Sequence, residues 1–435
     1  MILEDYLRRH AEERRDRLAV VCGEDRLTYR QLYSRVVAKA KELRSSKRRA
    51  LVFRASQDAD FIITYFAAHL AGIVAVPLEK GTPEDMFRDV CRMVDDADVP
   101  EGVADILFTT GTTGRQKGVM ISHETILADA ENLIQAQKYT ENLTFVVSGP
   151  LNHIGSLSKI YPVIYLGATI SITEGMKDIN ALFAAIENAN DKAATFLVPA
   201  SLRMLMQFAE DRLRNLAHKI DFIETGAAPI SQGDMERLCA LLPNSRLYNT
   251  YASTETGIIA TYDYSDGECI AGCLGKPMRH SGIRINEEGR IDCIGKTLMT
   301  GYVADDGLTA SVLYDGVMHT ADIGTLDDKG RLHLSGRDGD VINVGGYKVA
   351  PTEVEDAAMA CDGVEDCVCV SAQHPVLGTV LKLIVVIAHD ASFDKRRIAL
   401  YMKERLEAYK VPMYYEKAES IRRTYNGKID RKSYR

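Results

Sequence analysis

Residues 109–119 read Thr-Thr-Gly-Thr-Thr-Gly-Arg-Gln-Lys-Gly-Val and follow directly on Ile106-Leu107-Phe108, an apolar run that predicts a short buried strand. Gly111, Gly114 and Gly118 free the backbone to curl around an anion, because glycine takes positive φ without steric cost. Thr109, Thr110, Thr112 and Thr113 supply hydroxyl donors, and Lys117 adds a mobile positive charge. The run departs from G-x-x-x-x-G-K-[ST], where a helix opens right after the lysine. Here Gly118-Val119-Met120-Ile121 reads as extended. The expectation is a loop that closes over a polyphosphate instead of cradling it at a helix N-terminus.

This loop resembles the phosphate loop of the adenylate-forming superfamily, usually T-[ST]-G-T-T-G-x-P-K-G-V, with Gln116 where proline is common. That family includes acyl- and aryl-CoA synthetases, nonribosomal peptide adenylation domains and luciferases. The resemblance implies activation of a carboxylate with ATP. Such chemistry needs a carboxylate for Mg²⁺, an acid for the ribose and cations around the α-phosphate, since displacement at phosphorus is mostly positioning and electrostatics.

The other segments answer those demands in order. Tyr251-Ala252-Ser253-Thr254-Glu255 resembles the family's Y-G-x-T-E, with Ala252 for glycine. Tyr251 is suited to stack on a purine, Thr254 to donate to a phosphate, and Glu255, with Thr110, to hold Mg²⁺. The bland alternative is a polar strand end. Gly226-Ala227-Ala228-Pro229 resembles the adenine-contacting segment, where small residues let the base approach the backbone. His319-Thr320-Ala321-Asp322 resembles T-G-D, which assigns Asp322 to the ribose hydroxyls, the alternative being a β-turn aspartate. In Gly336-Arg337-Asp338-Gly339-Asp340 the resemblance makes Arg337 a second ribose contact and Gly339 the pivot of a hinge, where the family usually has Asp or Lys. Arg423-Thr424-Tyr425-Asn426-Gly427-Lys428-Ile429 resembles R-T-x-x-G-K-[IV]. The resemblance gives Lys428 the developing charge at the α-phosphate; a solvated terminal lysine is the alternative.

Pro150-Leu151-Asn152-His153-Ile154-Gly155-Ser156-Leu157 resembles the P-L-x-H-x-x-G segment of acyl- and aryl-CoA synthetases. No aspartate for a substrate amine occurs between Ser148 and Tyr161, which favours a small carboxylic acid without an α-amino group. His153, Ser156, Phe196, Gly226 and Thr250 are the expected acid pocket, with a helix-capping role as the alternative for His153. Gly345 and Gly346 would line the tunnel for a pantetheine arm. CoA and a carrier-protein phosphopantetheine share that arm, so an acyl/aryl-CoA ligase is the first expectation and a free-standing ligase loading a carrier protein the second. A nucleotide-binding pseudoenzyme stays open on the departures Ala252, Ala321 and Gly339.

The expected fold is α/β: a large N-terminal domain of doubly wound sheets with a small β subdomain over 272–334, a hinge, and a small α+β C-terminal domain. Strands alternating with helices from Ala50 to Thr250 support this. The boundaries read 1–336, 337–340 and 341–435. Only about 30 residues separate Val76-Pro77 from the phosphate loop, so the N-terminal domain is abbreviated, leaving a sheet edge free or covered by a second copy in a homodimer. A net charge of −8 argues against nucleic acid. The apolar stretch Phe61–Leu78 contains Thr64, His69 and Gly72 and reads as a buried helix and strand, not a membrane span. Nine scattered cysteines without framework or zinc spacing read as reduced thiols of a cytoplasmic protein.

Overall fold

A computed structural model describes residues 1–46, 48–110, 116–266, 268–345, 347–424 and 429–434. Two sheets and the helices between them build the large part. The first sheet has a parallel centre, with Thr144–Val147, Thr169–Ile172, Ala193–Phe196, Ile220–Gly226 and Arg246–Ser253 as its strands. The strand Gly257–Asp263 returns antiparallel to Arg246–Ser253, and the hairpin of Leu18–Cys22 and Asp25–Thr28 closes the opposite edge. The second sheet holds Ala50–Arg54, Val74–Leu78 and Val103–Thr110 in parallel, then Gln116–Ser122 and Gly301–Tyr302 antiparallel.

The helix Ala59–Leu70 shows why these sheets need each other. Phe61, Ile62, Tyr65, Phe66, Ala67 and Ala68 are all buried, so no face of it is left for water. A helix apolar all round belongs in a core, and this one packs into the cluster that also contains strands of both sheets. Local signals fix its ends. Asp58 accepts from the backbone N–H groups of Asp60 and Phe61, and Gly72 takes φ 74° two residues past the last turn. The helix Tyr29–Ser45 opens with a capping box: Thr28 Oγ1 accepts from Gln31 N at 3.3 Å, and Thr28 N donates to Gln31 Oε1 at 2.9 Å.

The small β subdomain expected over 272–334 is continuous with the large sheet, because Cys273–Pro277 pairs with Gly257–Asp263 on one side and Leu332–Arg337 on the other. Apart from Gly301–Tyr302, the strands of 281–337 therefore extend the large sheet. Two short helices follow Pro150, Ile154–Leu157 and Ile160–Leu166, with Ser158 and Lys159 between them. Asp322 lies within the long strand Val317–Leu326, not in a β-turn. The short interval before the phosphate loop contains one helix, Glu84–Asp96, and Ala50–Arg54 is the outer strand of its sheet.

After Arg337 the chain makes a turn through Asp338–Asp340, held by Asp340 N and Val341 N donating to Arg337 O. A hairpin (Ile342–Val344, Tyr347–Val349), the helix Pro351–Met359 and a three-stranded sheet of Val364–His374, Gly378–Ile387 and Tyr414–Ala418 follow around their own core. Gln207 Nε2 donates to Glu365 Oε1 at 2.8 Å and Thr352 Oγ1 to Ser335 O at 3.2 Å, joining this unit to the large one. Among the described residues no helix is long and apolar enough to cross a membrane.

Candidate active site

Phe196, Gly226 and Ser253 end three neighbouring parallel strands, and the candidate residues gather at those carboxyl ends, where open α/β sheets bind ligands. The ladder requires a glycine at 226. Gly226 pairs with Thr250, and a Cβ there would sit 2.8 Å from Thr250 O. The next residue, Ala227, takes φ 65° although it is not glycine. Backbone held in the left-handed region by its surroundings is a frequent mark of a binding site. Ala227 is exposed and Ala228 half-buried, so both backbones face accessible space.

The strand Arg246–Ser253 delivers Tyr251. Its ring is buried and its hydroxyl donates to Asp322 Oδ2 at 2.7 Å. Burial, helped by the Asp322 charge, pushes the Tyr251 phenol far above its ordinary range, so it stays a donor. Asp322 and Arg337 are opposed across the strands Val317–Leu326 and Leu332–Arg337. Arg337 Nε donates to Asp322 Oδ1 at 2.7 Å, and that carboxylate raises the guanidinium pKa further. Three residues picked from three separate motifs thus form one hydrogen-bonded chain, with the arginine side chain half exposed.

Glu255 sits in the turn after Ser253. Ser253 and Thr256 close that turn reciprocally: Ser253 N donates to Thr256 Oγ1 and Thr256 N to Ser253 Oγ, each at 3.0 Å. Met299 N donates to Glu255 O at 2.9 Å, so the backbone of Glu255 is held from outside as well. Its side chain is met by Tyr302, whose hydroxyl donates to Glu255 Oε1 at 3.1 Å. Lys117 Nζ lies 5.4 Å from the Tyr302 ring centroid. Tyr302 reaches this position because Gly301–Tyr302 pairs with Met120 and Val119. Glycine at 118 permits the approach: a Cβ there would meet Val303 Cγ1 at 2.5 Å. The charge of Glu255 is felt at Arg337, and that of Arg337 at Tyr302. The two groups therefore lie within range of each other's charge. Thr254, in the same turn, is half-buried, as is Thr109 opposite Lys117.

Gly111, Thr112, Thr113, Gly114, Gly346 and Lys428 lie outside the described residues, as does the side chain of Thr110. Gly345 takes φ 58° in the turn between Ile342–Val344 and Tyr347–Val349. Gly339 is exposed in the turn after Arg337, with open space where a Cβ would be.

Two glycines lie against Phe196 of the expected acid pocket. A Cβ at Gly155 would lie 3.3 Å from Phe196 Cε1, and one at Gly226 3.5 Å from Cε2. Ser156 is buried beside Gly149, and His153 occupies the N-cap position of Ile154–Leu157 without a side-chain cap. Thr250 is buried and shares a hydrogen bond with Thr261 at 3.0 Å. Sequence reasoning missed what lies beneath. Lys159 Nζ donates to Glu224 Oε1 at 2.7 Å, both side chains are at most 2% exposed, and the ammonium is 5.2 Å from the Phe196 ring. A lysine just before an apolar helix and a glutamate in an apolar strand were the available signal. A concavity of about 960 Å³ lined by Arg14, Arg17, Glu141 and Asp191 sits instead at the amino ends of the strands, away from all these residues.

The AMP-binding enzyme family matches residues 7–99 and 92–303, and the AMP-binding enzyme C-terminal domain matches 353–428. The chain belongs to the AMP-binding enzyme family. It is 26% identical to 2-succinylbenzoate–CoA ligase of Staphylococcus epidermidis, over 98% of this chain and 96% of that protein. It is 27% identical to feruloyl-CoA synthase of an Amycolatopsis species, over 94% of each. In fold it is similar to ATP-bound MatB from Rhodopseudomonas palustris, with TM-score 0.88 and 21% identity over 100% of this chain and 98% of that one. It is likewise similar to Bacillus subtilis o-succinylbenzoate CoA synthetase in complex with ATP and magnesium ion, with TM-score 0.83 and 21% identity over 98% of each.

Proposed function

We propose that the protein is an AMP-forming acid–CoA ligase. A carboxylate oxygen of the acid attacks the α-phosphorus of ATP, and pyrophosphate leaves. The CoA thiol then attacks the acyl carbon and AMP leaves. The observation that carries this reading is the hydrogen-bonded chain of Tyr251, Asp322 and Arg337, together with the Tyr302 ring that joins Lys117 to Glu255.

Asp322 accepts from the ribose hydroxyls, and Arg337, already oriented by Asp322, reaches the same sugar. Gly226, Ala227 and Ala228 expose backbone to the base beside Tyr251. Lys117 and the threonines of 109–113 hold the phosphates, joined by Thr254. Glu255 and the hydroxyl of Thr110 offer the hard oxygen donors that suit Mg²⁺. When bound, that ion neutralises phosphate charge and so favours departure of pyrophosphate. Lys428 approaches the carboxylate and the α-phosphate in the first step. The unit 341–435 then turns about Gly339 in the hinge 337–340, bringing Gly345 and Gly346 to the pantetheine arm.

The acid lacks an α-amino group, since the Pro150–Leu157 segment has no anionic partner for one. Its pocket is bounded by His153, Ser156, Phe196 and Thr250. CoA is the acceptor, in keeping with the relatives' names. The nine free thiols favour a cytoplasmic setting. The test is incubation with ATP, Mg²⁺ and a panel of aryl and acyl acids, offering CoA or a phosphopantetheinylated carrier protein. Mass spectrometry should find AMP and an acyl-CoA in equal amounts. Product only on the carrier protein would move the acceptor, and no AMP with any acid would reject the reading.

A further inference from the structure

A second polar cluster lies behind the strand that feeds the phosphate loop, and ligase chemistry leaves it unused. Glu4 comes from the first turn of Leu3–Glu13, His69 from the last turn of Ala59–Leu70, and His123 opens His123–Gln137. Asp105 lies on Val103–Thr110. His69 is clasped on both sides: Nδ1 is 2.8 Å from Glu4 Oε1 and Nε2 is 2.8 Å from Asp105 Oδ1. Tyr65 fixes the second carboxylate by donating to Asp105 Oδ2 at 2.7 Å. The His123 ring stands edge-on to His69, with centroids 5.1 Å apart. One ligand atom each from Glu4, His69 and His123 lies within 4.8 Å of the others.

Two features make this more than a buried ion pair. Among the described residues, Glu4 Oε2 and His123 Nδ1 are both buried without a hydrogen-bond partner. Glu4 itself is only 2% exposed, so that oxygen gets no help from water. The charge balance is also incomplete. Among the described residues neither Glu4 nor Asp105 makes an ion pair with a lysine or arginine, so the imidazoles are their only cationic partners. A single imidazolium compensates one of two dry carboxylates, whereas a dication held by neutral imidazoles compensates both.

We propose that Glu4, His69 and His123 form a Zn²⁺ site, with His69 binding through Nδ1 and His123 through its unpartnered Nδ1. Two imidazoles and one carboxylate, with a fourth position left to water, suit this ion. The hydrogen bond from His69 Nε2–H to Asp105 keeps the proton on Nε2 when the metal replaces the one that Nδ1 shares with Glu4. Partly exposed His123 provides the way in. Binding displaces any proton from His69 Nδ1 to solvent, so uptake weakens as pH falls. The ion would staple the first helix to two others and brace, through Asp105, the strand that leads into Thr109-Thr110. It is distinct from the oxygen-donor site at Glu255.

The test is a Co²⁺ titration of the chelator-stripped full chain, read by ligand-field absorption, then displacement by Zn²⁺. Expected are one equivalent of saturable four-coordinate signal, its bleaching by Zn²⁺, and a melting temperature raised by Zn²⁺. Glu255→Ala should leave the signal intact. His123→Gln and Glu4→Gln should weaken binding by about 10-fold or more. His123 is partly exposed, so its variant tests the site even where Glu4→Gln folds poorly. No saturable signal in the wild type, or an undiminished one in His123→Gln, overturns the proposal.

Discussion

Tyr302 donates its hydroxyl to Glu255 Oε1 at 3.1 Å. The same ring lies under Lys117. One side chain therefore spans the phosphate-loop lysine and the carboxylate proposed for Mg²⁺. Removing the hydroxyl leaves the ring to support Lys117 but frees Glu255 to rotate. A hydrogen bond to a charged group contributes about 1.5–3 kcal/mol. Tyr302→Phe should therefore raise the Mg²⁺ concentration for half-maximal pyrophosphate exchange by about 10-fold, with the KM for the acid unchanged. An unaltered Mg²⁺ dependence would remove Tyr302 from the positioning of Glu255.

Asp322 and Arg337 act on the nucleotide, so their loss should appear as ATP affinity. Asp322→Ala removes the proposed ribose acceptor and also releases Arg337 and the Tyr251 hydroxyl. The KM for ATP should rise by about 10- to 100-fold, on the scale of one or two charged hydrogen bonds. A variant with normal KM for ATP would show that the ribose is held elsewhere.

Gly226→Ala tests the close approach of neighbouring strands. The added methyl lies 2.8 Å from Thr250 O, a backbone atom that moves only with its strand. The expected result is a loss of stability of about 1–3 kcal/mol, measured by urea midpoint, together with weaker ATP binding. Wild-type behaviour in both would contradict the packing described.

Asp129 provides a pH prediction. Its Oδ1 accepts from Ile258 N at 2.9 Å, just past the Glu255 turn. Burial pushes its carboxyl up to about 7, from an ordinary value of 3.8. Between pH 4 and 7 the unfolded chain gives up this proton while the folded chain keeps it. Stability must then fall as pH rises through that window and level off above it. Asp129→Asn keeps an acceptor for Ile258 N and should flatten this slope by a few kcal/mol. Melting curves from pH 4 to 8 decide; identical slopes would place the proton elsewhere.

Much of this was legible in the chain because it is local. The apolar run before Thr109 and the small residues from Gly226 to Ala228 carry their meaning within a few residues. The motif residues Tyr251, Asp322 and Arg337 were found singly, and the fold hydrogen-bonds them together. What escaped depends on distance. Tyr302 meets a residue 47 positions away, and Lys159 meets Glu224 across 65. Each is visible as a polar group in apolar surroundings, but no spacing rule names its partner. How the β subdomain joins the large sheet escaped for the same reason. Turn-rich strands look independent until the pairing of Cys273–Pro277 on both sides is known.

The most direct measurement is ATP–pyrophosphate exchange without any thiol, against aryl, short-chain, long-chain and amino acids, for the wild type and Lys428→Ala. The account predicts exchange with one class of acid lacking an α-amino group, and its loss in Lys428→Ala. That variant should still form thioester from preformed acyl-adenylate. No exchange with any acid, despite measurable ATP binding, would contradict adenylation and point to a nucleotide-binding protein without the chemistry.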